Sequence, residues 1–264
     1  MNFKKIRGIE LAYEDLGNGK PIVFIHGQPF NRSMWKYQTK ELTENYRLII
    51  PDLRGYGESQ ISEGMVLLDE LALDIAELMD ELHIENAMLI GLSMGGQIAL
   101  EFFKLFPKRV NGLVLADTDC RAEDEEGYKR RIMLSEKIVR DGMKKFTAKR
   151  IHHFISNFTM NNLPEVVSHL REMMETTNPI GSAAVQRGRA ERKDLTPILA
   201  QIKVPTLVIV GKHDEFTPVA TAQLIHERIE NSRLSIIEKA GHIPNMEQPE
   251  KFNSTLKVFL KENY

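Results

Sequence analysis

The chain has one cysteine in 264 residues, Cys120, so it holds no intramolecular disulfide, and a lone thiol is compatible with a reducing compartment. Neither a C-x-x-C nor an H-E-x-x-H pattern occurs, so the sequence offers no metal-ligand set and no metal is expected. Charge of one sign is not in excess either. The 35 Lys and Arg against 37 Asp and Glu leave a formal −2, with the cations scattered, which gives no electrostatic case for nucleic acid or an anionic membrane surface. No apolar run approaches the roughly 18 residues of a membrane span. The first residues, MNFKKIRGIELAYEDLG, interleave charge with apolar side chains and lack the uninterrupted core of a signal peptide, so a soluble cytoplasmic protein is expected. There are no internal repeats and no low-complexity segment.

What the chain does have is a 42% hydrophobic content, enough for one large core with an inserted subdomain. Its focus is Ala87 to Leu100, AMLIGLSMGGQIAL, where a strand-like run meets Gly91-Leu92-Ser93-Met94-Gly95 and continues as a helical pattern. A G-x-S-x-G turn between strand and helix forces the serine into a strained bend that presents its hydroxyl, and the bend closes only if the residues two before and two after lack side chains. Gly91 and Gly95 fill those places. The dinucleotide pattern G-x-G-x-x-G is the rival, but Ser93 replaces its second glycine and no suitable acidic residue follows about 20 positions on. Ser93 is the candidate nucleophile, and no cofactor is expected.

Two short alternating strands open the chain, Asn2 to Arg7 and Ile9 to Glu14. Pro21 to Ile25, Tyr46 to Ile50, 87 to 92, Val110 to Ala116, Thr206 to Val210 and Leu234 to Ile237 then read as apolar runs suited to a buried parallel sheet. Helical spacing falls between them, at Ser33 to Thr43, Leu67 to Leu82, 94 to 106, Pro218 to Ile229 and Pro249 to Leu260. Residues 120–194 differ: they are charged, Met-rich and helical in period, with no convincing strand. Asp141-Gly142, Asn161-Asn162 and Asn178-Pro179 punctuate them into about four helices. The expected organisation is a core of residues 1–119 and 195–264 with a helical cap of 120–194 inserted after the sixth strand.

A serine hydroxyl is a weak nucleophile and needs a base, which in turn needs an orienting group. His242, in the glycine and proline loop after the last strand, is the candidate base, with His213 and His26 as alternatives. Asp214, in the loop after the preceding strand, is the candidate acid, with Asp117 and Glu215 as alternatives. His83, His152, His153, His169 and His226 read as solvated or packed helix residues. Two backbone donors must hold an oxyanion: the Met94 N–H follows the nucleophile, and the Gln28 N–H lies in the His26-Gly27-Gln28-Pro29 loop. There His26 reads as a loop holder.

HGQP, DLRGYGES, GLSMGG, VGKHDEFTP and AGHIPNMEQPEKFN, in this order and spanning nearly the whole chain, resemble the α/β-hydrolase superfamily. LADTDCRAEDEEG and GRAERKDLTPILAQIKVPTLVIVG are similar to the branch of small carboxylesterases and 3-oxoadipate enol-lactonases. The resemblance implies a mostly parallel eight-stranded sheet flanked by helices, with Ser93, Asp214 and His242 as nucleophile, acid and base. Serine at 93 departs from haloalkane dehalogenases and epoxide hydrolases, which carry aspartate there. The expected activity is hydrolysis of a small-molecule ester through an acyl-enzyme, with enol-lactone hydrolysis and cofactor-free perhydrolysis as alternatives and a homodimer left open. A non-catalytic receptor on the same fold is the reading of a different class; it is free to abandon a triad member, and none is missing. For an acidic substrate the cations at the end of the cap are Arg187, Arg189, Arg192 and Lys193, with a solvated helix face as the plainer use. Met133, Met173, Met174, Phe154 and Phe158 are candidates for an adaptable inner surface, with core packing between cap helices as the alternative.

Overall fold

Apolar runs that are hydrophobic at every position must be covered on both faces, and the computed structural model, which describes residues 1–264, does this with a single eight-stranded sheet. Strands β1 (Asn2–Ile6) and β2 (Ile9–Leu16) form an antiparallel hairpin, and β2 continues antiparallel onto β4 (Tyr46–Pro51). From there β3 (Lys20–Ile25), β5 (Ala87–Leu92), β6 (Val110–Ala116), β7 (Thr206–Gly211) and β8 (Ser232–Ile237) run parallel, in the order β1-β2-β4-β3-β5-β6-β7-β8. The mostly parallel sheet expected from the sequence is the one observed. β3 lies between β4 and β5, so the winding reverses there, and a crevice opens at the strands' C-terminal ends beside the loops after β3 and β5.

Alternation along the strands splits the core in two. Val23, Ile25 and Leu89 pack with Leu71 and Ile75 of α2 (Leu68–Glu81) and with Ile98 and Phe102 of α3 (Met94–Leu105), following α1 (Lys36–Leu42) in the chain. Ile22, Phe24, Met88 and Ile90 face the opposite way, onto Trp35 and the C-terminal helix. Each such buried side chain contributes about 1.5–3 kcal/mol of transfer free energy. Residues 32–35 wind as a 3-10 turn, so the first helix is shorter than Ser33 to Thr43.

Residues 120–194, between β6 and β7, hold five helices, α4 (Glu125–Asp141), α5 (Met143–Arg150), α6 (Asn157–Asn162), α7 (Pro164–Thr176) and α8 (Pro179–Ala190). Four were expected. The extra break, at residues 151–156, has no glycine or proline to mark it; there the Ser156 side chain caps α6 by accepting from Thr159 N–H, and the Ser156 N–H is drawn to Glu247 Oε2 at 2.7 Å. The chain closes with α9 (Thr196–Leu199), α10 (Val219–Arg228), α11 (Pro244–Glu247) and α12 (Pro249–Asn263). No helix is long and apolar enough to cross a membrane.

Candidate active site

β5 runs into α3 through Ser93, whose backbone sits at φ 56° and ψ −115°, in a region that L residues avoid at about 1–3 kcal/mol. Close approach explains the flanking glycines: a Cβ on Gly91 would lie 2.2 Å from Gly95 O, and one on Gly95 2.0 Å from Ile25 O. The bend is tied to the neighbouring strand by Ser93 N–H donating to Ala116 O at 2.8 Å and by Thr118 Oγ1 donating to Ser93 O at 2.6 Å.

Asp214 follows β7 and His242 follows β8, so register brings both to the sheet edge that carries Ser93. His242 Nδ1 lies 2.8 Å from Asp214 Oδ2. Asp214 also accepts from Thr217 Oγ1, from Phe216 N–H at 2.8 Å and from Thr217 N–H at 3.2 Å. Burial opposes ionisation of this carboxyl, yet His242 and the donors of residues 216 and 217 together hold it below the usual carboxylate range. Phe216 packs edge-on to the His242 ring at 4.9 Å between centroids. Both Ser93 and His242 line one cavity of about 470 Å³. No hydrogen bond joins the Ser93 hydroxyl to His242 Nε2, a contact that in serine hydrolases commonly tightens only with substrate.

The loop after β3 brings Gln28 to the same cavity. Neither the Gln28 N–H nor the Met94 N–H, first in α3, donates a hydrogen bond within the protein, so both are unspent. His26 does not reach the cavity: its Nε2 accepts from Leu53 N–H at 2.9 Å, which leaves the proton on Nδ1, donated to Gly27 O at 2.8 Å. His213 is exposed, and Glu215, also exposed, pairs with His153. Asp117 is buried beside the pair: a carboxyl oxygen of Asp117, one of Asp214 and a ring nitrogen of His242 lie within 4.8 Å of one another. Asp214 already accepts four hydrogen bonds, one of them from His242, so its oxygens are engaged within the protein.

The cavity wall opposite the sheet edge is cationic. Arg189, 8% exposed and without a carboxylate partner, donates from Nη1 to Gln28 Oε1 at 3.1 Å and from Nε to Gln97 Oε1 at 3.2 Å. Arg131 and Arg192 also line the cavity and share one carboxylate, Glu123. Burial first, then the like charges of Arg131 and Arg192, push the Arg189 pKa well down, yet a guanidinium starts so high that it stays charged in proteins. Of the other cations at 187–193, Arg187 turns to Gly64 O and Lys193 is exposed. Arg131 was not foreseen, although Gly127, Arg131 and Ser135 at i,i+4 spacing put a cation on the inward face of α4. Met133 and Phe154 line the cavity, whereas Met173 and Met174 are buried in the core and Phe158 points outward beneath Lys239.

A second unforeseen residue is Glu247, 1% exposed, which accepts from Gly241 N–H and Ser156 N–H at 2.7 Å each, from Thr159 Oγ1 at 2.7 Å and from Ile243 N–H at 3.3 Å. It brackets His242 on both sides and fastens the α5–α6 corner to that loop.

A mostly parallel sheet carries a strained serine at one strand end and a His–Asp pair on the same cavity, and family comparison identifies the fold. Residues 20–249 match the α/β hydrolase fold family, and the chain belongs to it. Its similarity to 3-oxoadipate enol-lactonase 2 of Acinetobacter baylyi is 30% identity over 96% of this chain and 94% of that one. Among solved structures, a thermophilic esterase from Thermogutta terrifontis, with malate bound, superposes with a TM-score of 0.97 at 37% identity, covering 99% of each chain. The enol-lactonase from Burkholderia xenovorans gives 0.92 at 28% identity, over 98% of this chain and 100% of that one. Like these relatives, the protein is a hydrolase.

Proposed function

We propose that the protein hydrolyses carboxylic esters of small to medium size through an acyl-Ser93 intermediate. The observation that carries this reading is the shared cavity: Ser93 on its strained elbow and His242, already bonded to Asp214, line the same space. His242 Nε2 takes the Ser93 proton as Oγ bonds to the ester carbonyl carbon, and Asp214 stabilises the imidazolium. The oxyanion accepts from the Gln28 and Met94 N–H groups. Its collapse breaks the bond to the alcohol oxygen, which leaves with the proton from His242. Water, giving its proton to His242, then releases the acid and restores Ser93. In this reading residues 1–119 and 195–264 are the catalytic core and residues 120–194 are a cap over it. With p-nitrophenyl butyrate, Ser93→Ala should lose activity by about a million-fold, the scale of serine removal in other triads, at unchanged urea midpoint. Turnover close to wild type removes Ser93 from the mechanism.

A narrower reading is favoured by Arg189. A buried cation with only amide oxygens as partners is strongly disfavoured unless an anion completes it. The substrate that fits is an ester or lactone carrying a carboxylate, as the similarity to enol-lactonases and to an esterase bound to malate supports. Hemi-esters of dicarboxylic acids should therefore be preferred to neutral esters of equal length, and equal kcat/KM for the two would refute it.

A further inference from the structure

Asp117 is a buried carboxyl that the mechanism above leaves unused. It follows β6 at 1% exposure, with its N–H donating to Ile209 O at 2.9 Å. One of its oxygens, Oδ1, accepts from Gly211 N–H at 2.8 Å, and Oδ2 has no partner. With Asp214 and His242 inside the same 4.8 Å cluster, two buried carboxyls stand too close for both to be charged. The donors decide which one keeps the proton. Asp214 accepts four hydrogen bonds including that of His242, Asp117 only one, so Asp214 carries the charge and Asp117 the proton. Burial first, then the Asp214 charge, push the Asp117 carboxyl well above its usual range, in the same sense.

We propose that Asp117 is a reserve acid for His242: neutral while Asp214 is present, and the carboxylate that orients the imidazole when Asp214 is removed. Loss of the Asp214 side chain removes the like charge that keeps the proton on Asp117 and leaves Asp117 as the remaining carboxyl of the 4.8 Å cluster beside the ring. The proton leaves to solvent, and a carboxylate oxygen is left to accept from Nδ1–H. Asp117 acts only through His242 and is therefore a positioning residue. The proposal rests on His242 being the base.

The test is kcat on p-nitrophenyl butyrate for Ser93→Ala, Asp214→Ala, Asp117→Asn and the double variant Asp117→Asn/Asp214→Ala, each checked for folding by urea titration. Losing the orienting carboxylate of a triad costs about 10,000-fold in kcat. Asp214→Ala should lose about 10- to 1,000-fold and the double variant about 10,000-fold, against that scale. Asp117→Asn alone should lose less than about tenfold. A merely structural Asp117 would give the same factor with and without Asp214. Equal factors, or an Asp214→Ala variant already as inactive as the double, overturn the proposal. If the double variant does not fold, Asp214→Ala decides alone, and a loss of about 10,000-fold overturns it. Substantial activity in Ser93→Ala would instead overturn the triad reading itself, so the two failures are distinguishable.

Discussion

Glu247→Gln isolates the contribution of one buried carboxylate to both stability and catalysis. All four partners of Glu247 donate, so the ionised carboxylate is the form the site fits. Gly241 and Ile243 N–H converge on Oε1, Ser156 N–H and Thr159 Oγ1 on Oε2. A glutamine keeps one acceptor oxygen and turns an NH2 toward the other two donors: facing Gly241 and Ile243 it loses two hydrogen bonds to a charged group, and facing Ser156 and Thr159 it loses one, because the Thr159 hydroxyl can turn to accept from the NH2. At about 1.5–3 kcal/mol each, the loss is about 1.5–6 kcal/mol, a substantial share of a typical folding free energy of about 5–15 kcal/mol. Urea titration should register it as a lower midpoint at unchanged slope. Because two of the donors flank His242, kcat on p-nitrophenyl butyrate should fall in the variant at urea concentrations where it is still fully folded. A midpoint and a kcat both within error of wild type would refute the reasoning, since they would mean that the four contacts contribute nothing.

Arg189→Met should lower the ratio of kcat/KM for a hemi-ester of a dicarboxylic acid over the matching neutral ester by about 10- to 150-fold, the equivalent of one charge-assisted hydrogen bond. The ratio is the readout because the variant also frees the Gln28 side chain, which disturbs both substrates alike; an unchanged ratio removes Arg189 from substrate recognition. His26 gives stability a pH dependence of known sign. Burial lowers its pKa from the ordinary 6.5, so the unfolded chain takes up a proton where the folded one does not. Stability is full above about pH 6.5 and falls as pH drops toward the folded value, by at most about 1.4 kcal/mol per pH unit for one group. Urea titrations at pH 7, 6 and 5 should show a shallower slope in His26→Asn than in wild type. His169, also lowered by burial, supplies slope that remains in the variant, and identical slopes would refute the assignment.

The sheet was legible because its signals are local. The central parallel strands are largely apolar runs ending in glycine or a polar loop, only the edge strand β8 being interrupted by Ser235, and the elbow needs two glycines at fixed distance from Ser93. The helices between β6 and β7 were legible in kind but not in number, since the break at residues 151–156 is imposed by tertiary hydrogen bonds to Glu247 and by His242 N–H donating to Phe154 O at 3.0 Å. Glu247 itself reads as a surface acid among Asn245, Gln248 and Glu250, and nothing local tells that three buried N–H groups will converge on it. Choosing between Asp117 and Asp214 lay beyond local signals as well. Both follow parallel strands and arrive at one edge, and only the hydrogen bonds they accept distinguish them.

The residues that would do the chemistry and those that would choose the substrate come from different layers. Gln28, Ser93, Asp214 and His242 stand at the ends of β3, β5, β7 and β8, where strand register fixes their separation. Arg131 and Arg189 stand on α4 and α8, helices whose sequence can change without shifting that register. Such a division would leave the guanidinium loosely held unless α8 were seated on the core, and it is. A Cβ on Gly188 would lie 1.7 Å from Val66 O, Val66 N–H donates to Ala184 O at 3.1 Å, and Gln28 Nε2 donates to Ser182 O at 3.0 Å. Arg189 is thus held in place by the fold itself, so on the proposed reading little side-chain entropy would be lost when it binds a substrate carboxylate.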